Sequence, residues 1–201
     1  SFHVSREKQM YHCFGCGVGG NVYTFLMEHE NYSFPEAVEA LAERAGIKLP
    51  EQSMSPEAKK QADERSRIKD MNRGAAGYFH YLLRTDHGKH ALEYLTERGL
   101  TEETINKFAL GFSDVYRDDL YKYLKSKGYK DEELKNSGLI KFDEKYGASD
   151  QFWNRVMYPI VDTNNRVIGF GGRVMGDGKP KYINTQETLV FDKSRNLYGL
   201  N

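Results

Sequence analysis

Tyr11-His-Cys-Phe-Gly-Cys-Gly-Val-Gly-Gly-Asn21 sets two thiols, Cys13 and Cys16, across a tight glycine turn directly before a helix start. A Cys-x-x-Cys knuckle aims both sulfurs at one point in space, and structural zinc takes four such ligands in a tetrahedron. These are the only cysteines among 201 residues, so the remaining two ligands are histidines or lie outside the chain. The chain begins at Ser1 without a methionine and reads as a fragment whose upstream half of the metal site has been cut away. Of the nearby histidines, His12 would have to fold back past Cys13, and His3 reaches over only if Phe2 to Tyr11 form a hairpin.

Other uses of paired cysteines fit less well. Cys-x-x-Cys serves redox chemistry when it opens a helix in a β-α-β setting, and no such strand pattern surrounds this one. Two cysteines do not make a disulfide framework, and no signal peptide precedes them. Free thiols suit a reducing cytoplasm, where the protein is expected. No apolar run approaches the roughly 18 residues of a membrane span, so no membrane is expected as a partner.

The 29 Lys and Arg balance 29 Asp and Glu, which argues against a blanket nucleic-acid binder. Distribution matters more: residues 151–201 carry seven Lys and Arg against four Asp and Glu.

Periodicity orders the rest of the chain. Asn21 is placed to cap a helix with Val22, Phe25 and Leu26 inward. Ser33-x-x-Glu36 is a capping box for a second helix with Val38, Leu41, Ala42 and Ala45 on its core face, ending at Gly46. Leu49 to Pro56 breaks the pattern and marks a boundary, so residues 1–49 form one domain, 50–66 a linker and 67–201 a second domain. A helix is expected from Pro56 to about Arg84, with Ile68, Met71, Ala75, Phe79 and Leu82 on one face. Shorter helices fit 88–98, 102–108, 118–127 and 131–136, with Gly99, Gly128 and Gly138 as stops. Strands follow over 139–142, 156–162, 166–174 and 181–183, with turns at 163–165 and 176–178. The fold class is therefore α+β.

The segment Ser1-Phe-His-Val-Ser-Arg-Glu-Lys-Gln-Met-Tyr-His-Cys-Phe-Gly-Cys-Gly-Val-Gly-Gly-Asn-Val-Tyr-Thr-Phe-Leu-Met27 resembles the downstream half of the zinc ribbon of bacterial DNA primase. The likeness continues through Glu36–Gly46, Tyr94–Leu100 and Phe108–Phe112. It is strongest at Arg155-Val-Met-Tyr-Pro-Ile160, Gly169-Phe-Gly-Gly-Arg173 and Pro180-Lys-Tyr-Ile-Asn184, and runs on to Leu197-Tyr-Gly-Leu200. In that family a Cys-Pro-Phe-His segment supplies the first two zinc ligands just ahead of the equivalent of Ser1. The resemblance implies a truncated zinc ribbon with helices, then a mixed helical and β amino-terminal subdomain of the primase RNA polymerase core.

A closed zinc site is structural, so the ribbon is a small β platform. Aromatic and basic groups on such a platform hold single-stranded DNA by stacking and phosphate contact, and Arg6, Lys8, Tyr11 and Phe14 are the candidates. The competing reading makes the two aromatics core residues of a small domain and the two cations solvated surface.

A second constellation is Arg155, Arg173, Lys181 and Lys193. Each alone reads as surface charge. Arg173, however, follows Gly169-Phe-Gly-Gly172, where missing side chains would let a polyanion approach the backbone, or which form a bulge or turn. No amphipathic helix opens after those glycines, so they are not a dinucleotide fingerprint. In the primase family the matching positions form a basic ridge beside the metal centre, which contacts template, nucleoside triphosphate or primer. One departure stands out: the family pattern Asp-Arg-Phe-Arg-x-Arg is here Asp150-Gln-Phe-Trp-Asn-Arg155. Only Arg155 carries over, and Trp153 is a candidate to stack on a base or a core residue.

Primer synthesis needs carboxylates that hold two divalent metals, magnesium or manganese, about 4 Å apart. The family carries them beyond the equivalent of Leu200, and Asp162, Asp177, Glu187 and Asp192 lack the spacing. The expectation is a fragment of an enzyme that makes short RNA primers on single-stranded DNA from ribonucleoside triphosphates, with a replicative helicase as partner. This part would supply template and nucleotide contacts, not catalytic carboxylates. The alternative is a zinc-dependent single-stranded DNA-binding module of a mobile element without polymerase activity.

Overall fold

Asn21 ends the glycine run and starts a helix as its chemistry predicts: its side-chain oxygen accepts the Thr24 amide at 3.0 Å. The computed structural model describes residues 1–30, 32–49, 55–162 and 164–194, which divide into two compact units, 1–59 with 192–194, and 60–191.

In the first unit β1 (Phe2–Ser5), β2 (Met10–Cys13) and β3 (Gly19–Gly20) form an antiparallel sheet in that order. The hairpin pairs Phe2 with Cys13, His3 with His12 and Val4 with Tyr11. Directly paired residues share a face, so Phe2, Val4, Tyr11 and Cys13 lie on one side and His3 and His12 on the other. Tyr11 stacks on Phe2 at 5.4 Å and meets Phe25 edge-on at 5.4 Å. Phe25 belongs to α1 (Val22–His29), which closes this small core. Helix α2 (Phe34–Ala45) opens with the expected capping box, Ser33 with Glu36, and stops at left-handed Gly46. Its buried residues are Ala37 and Ala42; Ala45 is exposed, as is Val22 of α1. Helices of eight and twelve residues in so small a unit have little to pack against, so the expected apolar faces are only partly covered. Of the break expected from Leu49 to Pro56, residues 50–54 lie outside the described residues, and Pro56 already opens the next helix.

Helix α3 (Pro56–Leu82) buries Ile68, Met71, Ala75, Phe79 and Leu82, the stripe its periodicity predicts. A short 3₁₀ turn (Asp86–Gly88) leads into α4 (Lys89–Glu97), and α5 (Glu102–Lys107) follows. Strand β4 (Gly111–Ser113) comes next, then α6 (Asp119–Ser126), α7 (Asp131–Asn136) and the hairpin β5 (Ile140–Asp143) and β6 (Gly147–Asp150). Strands β7 (Arg155–Val161), β8 (Val167–Val174) and β9 (Tyr182–Asn184) complete the described residues. The three glycine stops have positive φ, 81° at Gly99, 87° at Gly128 and 72° at Gly138.

The main sheet runs β4-β7-β8-β9, all antiparallel. One face carries Met157, Ile168 and Phe170 into a core with Ile68, Met71, Phe79, Leu120, Leu134 and Phe152. The other face carries Phe112 and Val156 against Leu83, Ala91, Leu95 and Ile105. Phe79 meets Phe170 edge-on at 5.5 Å; removing either ring would cost about 3–5 kcal/mol. Strand β4 gave no alternation signal because it is three residues long. Its Gly111 is required by proximity: a Cβ there would come within 2.6 Å of the Phe79 backbone.

Candidate nucleic-acid interface

The knuckle is built by backbone hydrogen bonds. Cys13 donates its amide to the Val18 carbonyl at 2.7 Å, Gly17 donates back to the Cys13 carbonyl at 2.8 Å, and Gly17 takes φ 77° to close the turn. The amides of Cys16 and Gly15 point at the Cys13 sulfur, and the Ser1 hydroxyl lies 3.8 Å away. These donors favour the thiolate and bring the Cys13 pKa down to about 7. Two thiols arranged so fit half of a tetrahedral zinc site. His3, the conditional substitute, sits on the opposite face although the hairpin it needed is present. Among the described residues no group of three His, Cys, Asp or Glu is gathered to hold a metal.

That opposite face is a cleft of about 490 Å³ lined by His3, Met10, His12, Phe14 and Lys8, floored by Gly19 and Gly20. Phe14 is 75% exposed and meets the His12 ring edge-on at 4.6 Å. Tyr11 is corrected: it is 8% exposed, held between Phe2 and Phe25, and is a core residue unable to stack on a base. Arg6 and Lys8 stand exposed on the β1–β2 turn. Sequence reasoning weighed His3 and His12 only as zinc ligands and missed them, with Met10, as lining of this face. The alternation of a hairpin would have found them, had Phe2–Cys13 been read as one.

The basic residues of the second unit separate into different roles. Arg155 is 6% exposed, and its guanidinium donates to the carbonyls of Pro180 at 3.0 Å, Gly172 at 3.3 Å and Lys181 at 3.4 Å. Burial pushes its pKa down. Arg155 is therefore corrected from a phosphate ligand to a strut that straps the β8–β9 connection onto the sheet. Arg173 pairs in register with Tyr182, lies over the Tyr94 ring at 4.3 Å, and donates to the Val174 carbonyl at 3.2 Å. Arg98 lies over the same ring at 5.3 Å. Lys181 is exposed beside Tyr182. At this corner of the sheet Arg173 shares a face with Tyr182 and is joined by Tyr94, Arg98 and Lys181, whereas Arg155, in register with Val174, lies on the opposite face; Tyr94, Arg98 and Tyr182 were not singled out by sequence reasoning. Lys193 is exposed and belongs to the first unit, whereas the other three belong to the second.

The glycines before Arg173 serve packing, not polyanion approach. A Cβ at Gly172 would fall 2.7 Å from the Phe152 ring and 3.0 Å from Arg155, and one at Gly169 3.2 Å from Phe191. Beside this corner the loop after β6 buries Phe152 and leaves Trp153 39% exposed, with the Arg117 guanidinium 5.1 Å over its ring.

A thiol knuckle on a three-stranded ribbon, followed by an α+β unit with clustered arginine and tyrosine on its sheet edge, defines a zinc-ribbon protein with an appended mixed core. Residues 1–57 match the family described as CHC2 zinc finger, and residues 78–201 match DNA primase catalytic core, N-terminal domain. The chain belongs to the bacterial DNA primase family. DNA primase of Clostridium acetobutylicum is 44% identical over 201 residues, all of this chain and 33% of that protein. DNA primase of Pseudomonas putida is 42% identical over 202 residues, 100% of this chain and 31% of that protein. The chain thus spans about a third of the length of the curated relatives it matches. The zinc-binding and RNA polymerase domains of Aquifex aeolicus primase match with TM-score 0.60 and 35% identity, over 100% of this chain and 47% of that one. A DnaG primase catalytic domain bound to single-stranded DNA matches with TM-score 0.64 and 38% identity, over 69% of this chain and 43% of that one. These relatives carry the name primase, which does not favour the mobile-element alternative. Among the described residues no helix is long and apolar enough to cross a membrane.

Proposed function

We propose that this chain is the template-holding part of a cytoplasmic enzyme that makes short RNA primers on single-stranded DNA. The observation that carries the reading is the corner where Arg173, stacked on Tyr94, stands in register with Tyr182 beside exposed Lys181. Guanidinium groups grip phosphate in pairs of hydrogen bonds and ammonium groups act as mobile point charges; exposed rings receive bases. The relative bound to single-stranded DNA supports the same partner here.

In this reading residues 1–49 form the zinc-ribbon domain, 50–66 a linker and 67–201 the amino-terminal part of the polymerase domain. Cys13 and Cys16 hold zinc, which supplies rigidity to the ribbon. Phe14, Lys8 and Arg6, with His3, Met10 and His12, offer a second DNA surface. Trp153, Arg173 and Lys181 meet template or ribonucleoside triphosphate, Arg155 holds the strand that carries Lys181, and Lys193 adds charge from its own unit. Magnesium or manganese and a replicative helicase belong to the whole enzyme. No catalytic step is placed on the acidic residues described here.

Titration of single-stranded DNA across salt tests the reading. Each phosphate contact releases a counterion, so Arg173→Ala or Lys181→Ala should weaken binding about equally across sequences and flatten the salt slope by about one. Lys59→Ala and Lys60→Ala should do little. Equal behaviour of the two pairs would reduce the corner to ordinary surface charge.

A further inference from the structure

Helix α6 has no cap of its own. Asp118 occupies its N-cap position with φ −134° and gives no side-chain hydrogen bond to the first turn; its carboxylate pairs with Lys122 at 2.8 Å instead. The orphan amides are met from about thirty residues away. Asp150, the last residue of β6, accepts the Leu120 amide at 2.8 Å and the Tyr121 amide at 2.9 Å through its two carboxylate oxygens. Its own amide donates to the Arg117 carbonyl at 2.6 Å, and Gln151 donates to Leu139 at 2.8 Å. At the other end of the loop, Asn154 donates to the Asp114 carbonyl at 2.7 Å and accepts from the Met175 amide at 3.0 Å. Two loops are thereby tied together at both ends. One carries Arg117, the other carries Trp153, and the two side chains meet between the ties.

Asp150 is 2% exposed. A buried carboxylate facing Asp118 and Asp119 is costly unless its hydrogen bonds are needed, and here both oxygens are engaged. We propose that Asp150 is the positioning residue for the Arg117–Trp153 pair: by capping α6 from the end of β6 it fixes both loops, and so sets how this surface grips single-stranded DNA. The DNA part rests on the reading given under Proposed function. Asp150 touches no nucleic acid itself. Removing its carboxylate frees the Leu120 and Tyr121 amides, leaves the backbone bond from Asp150 to Arg117 without that support, and lets the Trp153 ring leave the guanidinium.

Trp153 is the only tryptophan of the chain, so intrinsic emission reads this one side chain. The 201-residue chain would be compared as wild type, Asp150→Ala, Asp150→Asn and Asp162→Ala, with a labelled oligothymidylate as the DNA probe at one salt concentration and pH 8. Asp162 is the control, a buried carboxylate that caps the turn to Arg166 and lies outside the proposed surface. Asp150→Ala should shift Trp153 emission and weaken oligonucleotide binding several-fold. Asp150→Asn should do so less, because an amide accepts one of the two hydrogen bonds. Asp162→Ala should lower the melting temperature while leaving emission and affinity unchanged. Should Asp150→Ala not fold, Asp150→Asn carries the test alone. Unchanged emission in a folded Asp150 variant, or an equal shift in Asp162→Ala, overturns the proposal. A shift in emission with affinity intact upholds the clamp and overturns the assignment of Arg117 and Trp153 to DNA.

Discussion

Arg155 donates its guanidinium to the carbonyl oxygen of Pro180 at 3.0 Å, from within the protein and with no carboxylate partner among the described residues. A cation that sequence reasoning placed on an exposed ridge is instead spent on backbone carbonyls of the neighbouring connection. In the proposed reading its part in DNA binding is indirect: it holds Lys181 and β9 against β8.

Arg155→Lys keeps the charge but loses the planar fork, so the three carbonyls lose most of their donors. Unfolding in urea should show a loss of about 1–3 kcal/mol, the penalty for buried acceptors left unmet. DNA binding should weaken while the salt slope stays unchanged, because no phosphate contact is removed. A flattened slope would restore Arg155 to the ridge.

The two faces of the ribbon should answer to different substitutions. Metal analysis of the purified chain should find substoichiometric zinc on the two thiols; Cys13→Ser should abolish it, whereas His3→Ala should leave it as in wild type, since His3 points away from the sulfurs. Phe14→Ala should weaken DNA binding with zinc content intact, the loss of one stacked base being worth about 1–3 kcal/mol. Tyr11→Ala should destabilise the ribbon itself. Zinc loss in His3→Ala would overturn the separation of faces.

Burial raises the Asp150 pKa from 3.8 to about 7, against the opposing effect of the Leu120 and Tyr121 amides. A carboxyl that binds its proton more tightly in the folded state stabilises that state in acid. The contribution is complete below about pH 4 and is lost as pH rises through 7. Asp150→Asn carries no such proton. Between pH 5.5 and 8, wild type should therefore lose about 2 kcal/mol relative to Asp150→Asn, measured by urea unfolding at both values. A relative gain for wild type would mean that the hydrogen bonds, not burial, govern this group. His87, whose pKa is raised by Asp114 2.6 Å away, is present in both proteins and cancels in the comparison.

Local chemistry made much of the fold legible. The Asn21 cap, the Ser33–Glu36 box, the apolar stripe of α3 and the glycine stops depend on residues within a turn or two of each other, and the structure keeps them all. Family membership was legible for a related reason, since ordered motifs survive in sequence whatever their contacts. Strands β4 (Gly-Phe-Ser) and β6 (Gly-Ala-Ser-Asp) were not legible, because their composition gives no alternation to read; β4 is fixed by distant β7 and β6 by its hairpin neighbour β5.

Site chemistry followed the same division. Sequence alone determined that Cys13 and Cys16 form a knuckle, because two thiols three residues apart across a glycine turn converge by backbone geometry. It also determined that residues 151–201 carry a positive balance, seven Lys and Arg against four Asp and Glu. Which of these cations face solvent was a tertiary matter. Burial of a side chain depends on the strand register that seats it, and register set Arg155 among carbonyls, Arg173 on Tyr94 and Tyr11 in the core. The capping of α6 by Asp150 has the same origin: an amide left open at a helix start donates to whichever carboxylate folding delivers.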